Sequence, residues 1–205
     1  EKSFTFDLCK LLAKSGCIAI SGGLEVASDR LLKLIDKGVS LAQVSRTARN
    51  LTENGIMVHA YLMYGYPTQN IQETIDSLEI VRQLYELDII KSGFWHRFAL
   101  TAHSPIGQNP KAFGIEIIEG QEGSFANNEL AYFEPNGIDH AAFSDGLKKS
   151  LYNFMHGQCF EYDLQEWFDF EIPETTISPD YIDNIVNAIE PLAYRPNRKV
   201  YWLAE

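Results

Sequence analysis

Cysteine is scarce: the 205 residues contain three, Cys9, Cys17 and Cys159. Their number is odd and their spacing matches no disulfide framework, which points to a reducing, cytoplasmic setting. No apolar run approaches about 18 residues, so no transmembrane helix is expected. The start, Glu1-Lys2-Ser3-Phe4-Thr5-Phe6, lacks both the basic and the apolar parts of a signal peptide. It also lacks an initiating Met, and the expectation is that the chain is cut from something longer. Glycine-rich phosphate loops are missing in both common forms, and so is a Gly-x-Ser-x-Gly nucleophile elbow. Basic residues are outnumbered, 17 against 28 acidic, for a net charge of −11. A surface of that sign repels phosphate backbones, which argues against nucleic acid as a partner.

The first half of the chain alternates helical and extended patterns. Thr5 to Lys14 carries Leu8, Leu11 and Leu12 at helical spacing, and Ser15-Gly16 stops it. Cys17 to Leu24 reads as a short buried strand. Ser28 caps a helix with Asp29 in its first turn and Leu31, Leu32 and Ile35 on one face, and Gly38 takes the C′ position. Ser40 and Gln43 form a capping box for a helix with Leu41, Val44, Ala48 and Leu51 inward, ended by Asn54-Gly55. A second strand spans Ile56 to Met63, followed by the breaker Gly65-Tyr66-Pro67. A long helix then places Ile71, Ile75, Leu78, Val81 and Tyr85 on its inner face, before a third strand from about Ser92 to Leu100.

Strands separated by helices imply parallel pairing with right-handed crossovers. The fold class is therefore α/β. Three strands fall short of the eight, in about 250 residues, that close a (β/α) barrel, so an arc of a barrel or a small open sheet is expected. Ser104-Pro105 and Asn109-Pro110 mark a change of organisation, which divides the chain into residues 1–108 and a mixed α+β accessory region, 109–205. There Phe113 to Glu119 and Glu129 to Phe133 read as strands. Ile138 to His156 reads as a helix with Ala142, Phe143, Leu147, Leu151 and Phe154 inward. Tyr162 to Phe170 is amphipathic, with its acids outward and Trp167, Phe168 and Phe170 beneath. Asp180 to Ile189 is a helix candidate and Val200 to Leu203 a last strand. His156 and Cys159 have metal-compatible spacing but no second pair, and His59, His96, His103 and His140 each read as structural when taken alone. No catalytic and no metal-ligating residue is assigned.

Three stretches in order carry a resemblance. Gly23-Leu24-Glu25-Val26-Ala27-Ser28-Asp29, continuing through Lys37-Gly38, resembles the end of the fourth barrel strand and the next helix in radical SAM enzymes. Tyr61-Leu62-Met63-Tyr64-Gly65-Tyr66-Pro67 is similar to the fifth strand and its Gly-x-Pro turn. Leu100-Thr101-Ala102-His103-Ser104-Pro105 is similar to the exit of the sixth. Thr68-Gln69-Asn70 departs from the commoner Gly-Glu-Thr. The resemblance implies a partial TIM barrel and two cofactors, S-adenosylmethionine and a 4Fe-4S cluster. It also implies an Fe-S oxidoreductase that starts radical chemistry on an unknown substrate. It leaves open whether a cobalamin domain precedes the barrel.

By the same resemblance, Glu25 meets the ribose or the methionyl end of the cofactor, with Ser28 opening the following helix. Lys37 meets the cofactor's carboxylate, and Met63, Tyr64 and Gly65 lie along its adenine. Read from the residues alone, Glu25 and Lys37 could equally serve the helix dipole, and Gly65 the turn. The Cys-x-x-x-Cys-x-x-Cys loop that holds three irons of such a cluster is absent from this chain. It is expected upstream of Glu1, leaving the fragment inactive by itself. The alternative from another class is a non-catalytic α/β binding or scaffold module. Removal of the preceding barrel strands would expose the edge at Ile18 to Leu24, so self-association is expected unless the C-terminal region covers that edge.

Overall fold

A computed structural model describes residues 4–118, 128–135 and 137–188. Helix α1, Phe6–Lys14, is capped by Thr5, whose Oγ1 accepts the Leu8 N–H at 3.3 Å. Its core contact is Cys9, fully buried, whereas Leu11 is 59% exposed. Leu12 and Ala13, partly buried, pack against the same core.

Three parallel strands follow in the order β1 (Ala19–Glu25), β2 (Met57–Tyr64) and β3 (Ser92–Arg97). Between them run α2 (Asp29–Leu34), α3 (Leu41–Glu53) and α4 (Ile71–Glu86). The central strand is the clearest in its chemistry. Val58, Ala60, Leu62 and Tyr64 are buried against the helices, while Met57 and Tyr61 stand about half exposed on the other face. Period-2 alternation sorts those two sets. The expected buried first strand is corrected: β1 starts later, at Ala19, and only Leu24 in it is buried, because among the described residues it pairs with β2 alone.

Caps behave as local chemistry dictates. Ser40 and Gln43 form their box, and a second box joins Asn70 to Glu73 at the start of α4. Gly55, at φ +78°, closes α3. The C′ residue of α2 is Asp36 rather than Gly38. Asp36 takes φ +54°, its N–H reaches the Lys33 carbonyl, and the Lys37 N–H reaches Leu32 in a Schellman pattern. Asp tolerates this left-handed conformation better than most residues. Gly38, also left-handed, lies in the connection beyond. Ile71 is corrected too: at 37% exposure it lies off the inner face of α4.

After β3, which ends at Arg97 rather than near Leu100, the expected strands shrink. Phe113 closes a 3-10 turn, Pro110–Phe113. Only β4 (Glu116–Ile117) and β5 (Tyr132–Phe133) pair, antiparallel, and Glu129 bridges to Thr101. The expected helix over 138–156 divides into a 3-10 turn, His140–Phe143, and α6, Ser144–Met155; Ala142 is exposed. A short α5 spans Pro105–Gln108, and α7 spans Tyr181–Asn187. The expected strand at Val200 to Leu203, and Ile189, lie outside the described residues.

One core joins the sheet to the C-terminal helices through Leu147, Leu151, Phe154 and Ile182. A second cluster, Val26, Leu31, Tyr66, Leu100, Ile106 and Ile115, sits beyond the C-terminal ends of the strands. No helix of the described residues is long and apolar enough to cross a membrane.

Candidate functional site

Ligands of parallel α/β sheets gather at the C-terminal ends of the strands, where loops diverge. At the end of β1 the ladder slips: Gly23 faces Tyr61 and Glu25 faces Leu62, leaving Leu24 as a bulge. Glu25 itself takes φ +58°, strained for a residue with a Cβ. The bulge folds its carboxylate back over Gly23. A Cβ at position 23 would overlap Glu25 Oε1 and come within 3.1 Å of Lys37 Nζ. The Schellman end of α2 returns Lys37 to the same spot, and its Nζ donates to Glu25 Oε1 at 2.5 Å. Both side chains stay a little over a quarter exposed. The pair retains a second carboxylate oxygen and two ammonium hydrogens for a ligand.

Ser28 is placed differently. Its Oγ accepts the Leu31 N–H and donates to Glu73 Oε1, both at 3.4 Å. Glu73 is gripped by Arg30 at 2.6 Å to each oxygen, and Arg30 also holds Thr68. Burial alone would raise the Glu73 pKa, but hydrogen bonds from Arg30, Asn70 and Ser28 bring it below the usual carboxylate range. Ser28 therefore belongs to a clamp between α2 and the start of α4.

Met63 shares the open face with His96. Tyr64 points the other way, into the core, 3% exposed and edge-on to Trp95 at 6.3 Å. Its carbonyl accepts the Phe98 N–H at 2.8 Å. Gly65, at φ +76°, gives its N–H to the buried Gln69 side chain at 2.7 Å. The same oxygen takes the Tyr66 N–H at 3.2 Å. The Thr68-Gln69-Asn70 departure thus has a local purpose: Gln69 ties the turn and Asn70 caps the helix. A Cβ at Gly65 would meet the His140 Cβ at 3.1 Å, so a protein side chain occupies the approach that this glycine opens.

His140 reads as structural in the sequence, yet it lies against Gly65 with Glu134 4.0 Å away. No local pattern reports this, because the contact crosses from the C-terminal region to the β2 turn. Rings also line the open face of the sheet: Tyr61 meets His59 at 5.1 Å and His96 at 6.0 Å, and Phe94 meets His96 at 4.4 Å. His59 Nδ1 is tied to Ser92 Oγ at 2.7 Å.

The described residues do not fit an iron–sulfur cluster. No three His, Cys, Asp or Glu side chains among them could share a metal ion. Cys9 is buried, and burial pushes its thiol pKa up, away from the thiolate that ligation needs. Cys17 and Cys159 are separate free cysteines. The Glu25–Lys37 pair, by contrast, suits a ligand carrying hydroxyls and a carboxylate.

No curated protein matches the chain. A family model does: residues 3–81 match the one described as the Radical SAM superfamily. The matched stretch contains β1, β2 and the helices between them, with Glu25, Ser28, Lys37, Met63, Tyr64 and Gly65. Residues 3–81 of this chain are therefore similar to the radical SAM superfamily.

Proposed function

We propose that this chain supplies part of the S-adenosylmethionine pocket and part of the substrate wall of a radical SAM enzyme. Its sheet is then an arc of a (β/α) barrel, and the enzyme's 4Fe-4S ligands lie outside the chain, which is inactive alone. A cytoplasmic setting accords with three free thiols. The observation that carries the reading is the Glu25–Lys37 pair folded over Gly23 at the end of β1. Glu25 Oε2 accepts ribose hydroxyls or the cofactor's ammonium, and Lys37 meets its carboxylate. Met63 and the Tyr64–Gly65 backbone border the adenine. S-adenosylmethionine, when reductively cleaved, supplies a carbon-centred radical that removes hydrogen from substrate. This chain's residues orient the cofactor and shield it from water.

Calorimetric titration of S-adenosylmethionine tests this. Glu25→Ala removes a charge-assisted hydrogen bond worth about 1.5–3 kcal/mol, so affinity should fall tenfold or more. Unchanged affinity in a folded variant would return Glu25 and Lys37 to a purely structural pair and favour a non-catalytic α/β module.

A further inference from the structure

A polar cavity, about 690 Å³, opens at the C-terminal ends of β2 and β3. That volume is of substrate size. Gly65, Arg97, Tyr132, Glu134 and His140 are among its walls. His140 is nine-tenths buried, and neither ring nitrogen has a hydrogen-bond partner. A buried polar group left unpaired costs about 1–3 kcal/mol, so its retention calls for an explanation.

Glu134 is half committed. Its Oε1 accepts the Thr68 N–H at 2.7 Å. Its Oε2 stands 4.0 Å from His140 Nε2, too far for a hydrogen bond. Arg97 borders the same cavity, is exposed, and makes no hydrogen bond or ion pair among the described residues. Tyr132 and His140 both lie within the fields of Arg97 and Glu134. Opposite charges therefore flank one cavity without neutralising each other. The remaining acids are less available: Asp139 Oδ1 accepts the Ala141 N–H at 2.9 Å, and Glu129 is exposed.

This arrangement selects by sign. A simple anion would face Glu134, and a simple cation would face Arg97. A divalent metal finds no third ligand among the described residues. A dipolar group satisfies both ends.

We propose that this cavity binds the α-amino carboxylate end of a substrate, an amino acid or a molecule that carries one. Its carboxylate accepts two hydrogen bonds from the Arg97 guanidinium, a geometry that guanidinium favours. Its ammonium donates to Glu134 Oε2 and to His140 Nε2. The absence of a side chain at Gly65 lets the imidazole stand where it does. Arg97, Glu134 and His140 lie outside residues 3–81, and the proposal goes beyond the cofactor reading. S-adenosylmethionine also ends in an α-amino carboxylate, but that end belongs at Glu25 and Lys37.

The test is nuclear magnetic resonance of the 205-residue chain with ¹⁵N-labelled histidine. Glycine is the probe, and methylammonium and acetate are its two halves. Glycine should move the His140 ring signals saturably, with either half at least tenfold weaker. Arg97→Gln and Glu134→Gln should each weaken glycine at least tenfold, and excess S-adenosylmethionine should not displace it. The proposal is overturned by a glycine titration that does not saturate, by either half matching glycine, or by variants that bind like the parent. Displacement by S-adenosylmethionine would overturn the assignment to a substrate while leaving the Glu25 test to be judged separately.

Discussion

At position 23 the missing methyl group makes room for the Glu25 carboxylate. A Cβ there meets only the flexible ends of Glu25 and Lys37, not backbone, so Gly23→Ala should fold. Its stability should stay within about 1 kcal/mol of the parent, the ordinary Gly-to-Ala scale. Yet it pushes the carboxylate off Lys37, and S-adenosylmethionine affinity should fall about as far as for Glu25→Ala. Denaturant unfolding and calorimetry together check this; a variant with full affinity would separate Gly23 from the site. His140 yields a pH prediction. Burial lowers its pKa below the usual histidine value, and Arg97 adds to this; Glu134 and Asp139 oppose it. The unfolded chain then takes up its proton first as pH falls below about 6.5, so stability declines there and is unaffected by this group at higher pH. His140→Asn should remove that part of the decline. Glu73, held low by Arg30, adds its loss only further down, below the ordinary carboxylate range. Unfolding midpoints at about pH 7.5, 6 and 5 read the His140 window, and further points at about pH 4 and 3 read that of Glu73. The expectation for Glu25 rests on its neighbours in sequence. His140 was not legible at this scale, since its partners Gly65 and Glu134 are joined to it only by folding.

Among the elements, caps were the most legible, because their chemistry is contained within four residues. Ser40 with Gln43, Ser28 with Asp29 and Asn54-Gly55 all act where their spacing puts them. Inner faces were less so, since Leu11, Ile71 and Ala142 are apolar but exposed while Cys9, Ser45 and Ser150 are buried. Which side of a helix meets the core depends on the neighbour. Helix α6 shows how sharply this can oppose propensity. Alanine is a better helix former than glycine by about 1 kcal/mol. At Gly146, however, a Cβ would overlap the Phe168 ring and lie 2.7 Å from the Trp167 carbonyl. Gly146→Ala should therefore destabilise by about 1–3 kcal/mol, the cost of overpacking. A rise in unfolding midpoint would mean that the 3-10 turn Leu164–Trp167 can withdraw from the helix.

The whole molecule has an uneven rim. Strand β1 is paired with β2 alone among the described residues and carries no Pro or Lys, and Ile18 beside it is 72% exposed. Those are the protections that natural edges use. The chain should self-associate as concentration rises, by strand pairing at β1. Light scattering across a dilution series reads this directly, and a strictly monomeric chain at high concentration would mean the edge is covered. The C-terminal helices α6 and α7 instead pack on α3, α4 and β3. By itself the sequence determined the α/β class, the alternation of helix and parallel strand, the caps at Ser28, Ser40 and Asn54-Gly55, and the order of stretches that resembles a radical SAM segment. These follow from hydrophobic period, cap chemistry and short spacings, which act within a few residues. Only the tertiary structure decided which apolar faces are covered, that Gly23 makes room for the Glu25–Lys37 pair, that Gln69 ties the Gly65 turn, and that Arg97, Glu134 and His140 share one cavity. Each of those depends on atoms brought together from distant parts of the chain, where close packing and charge act through space.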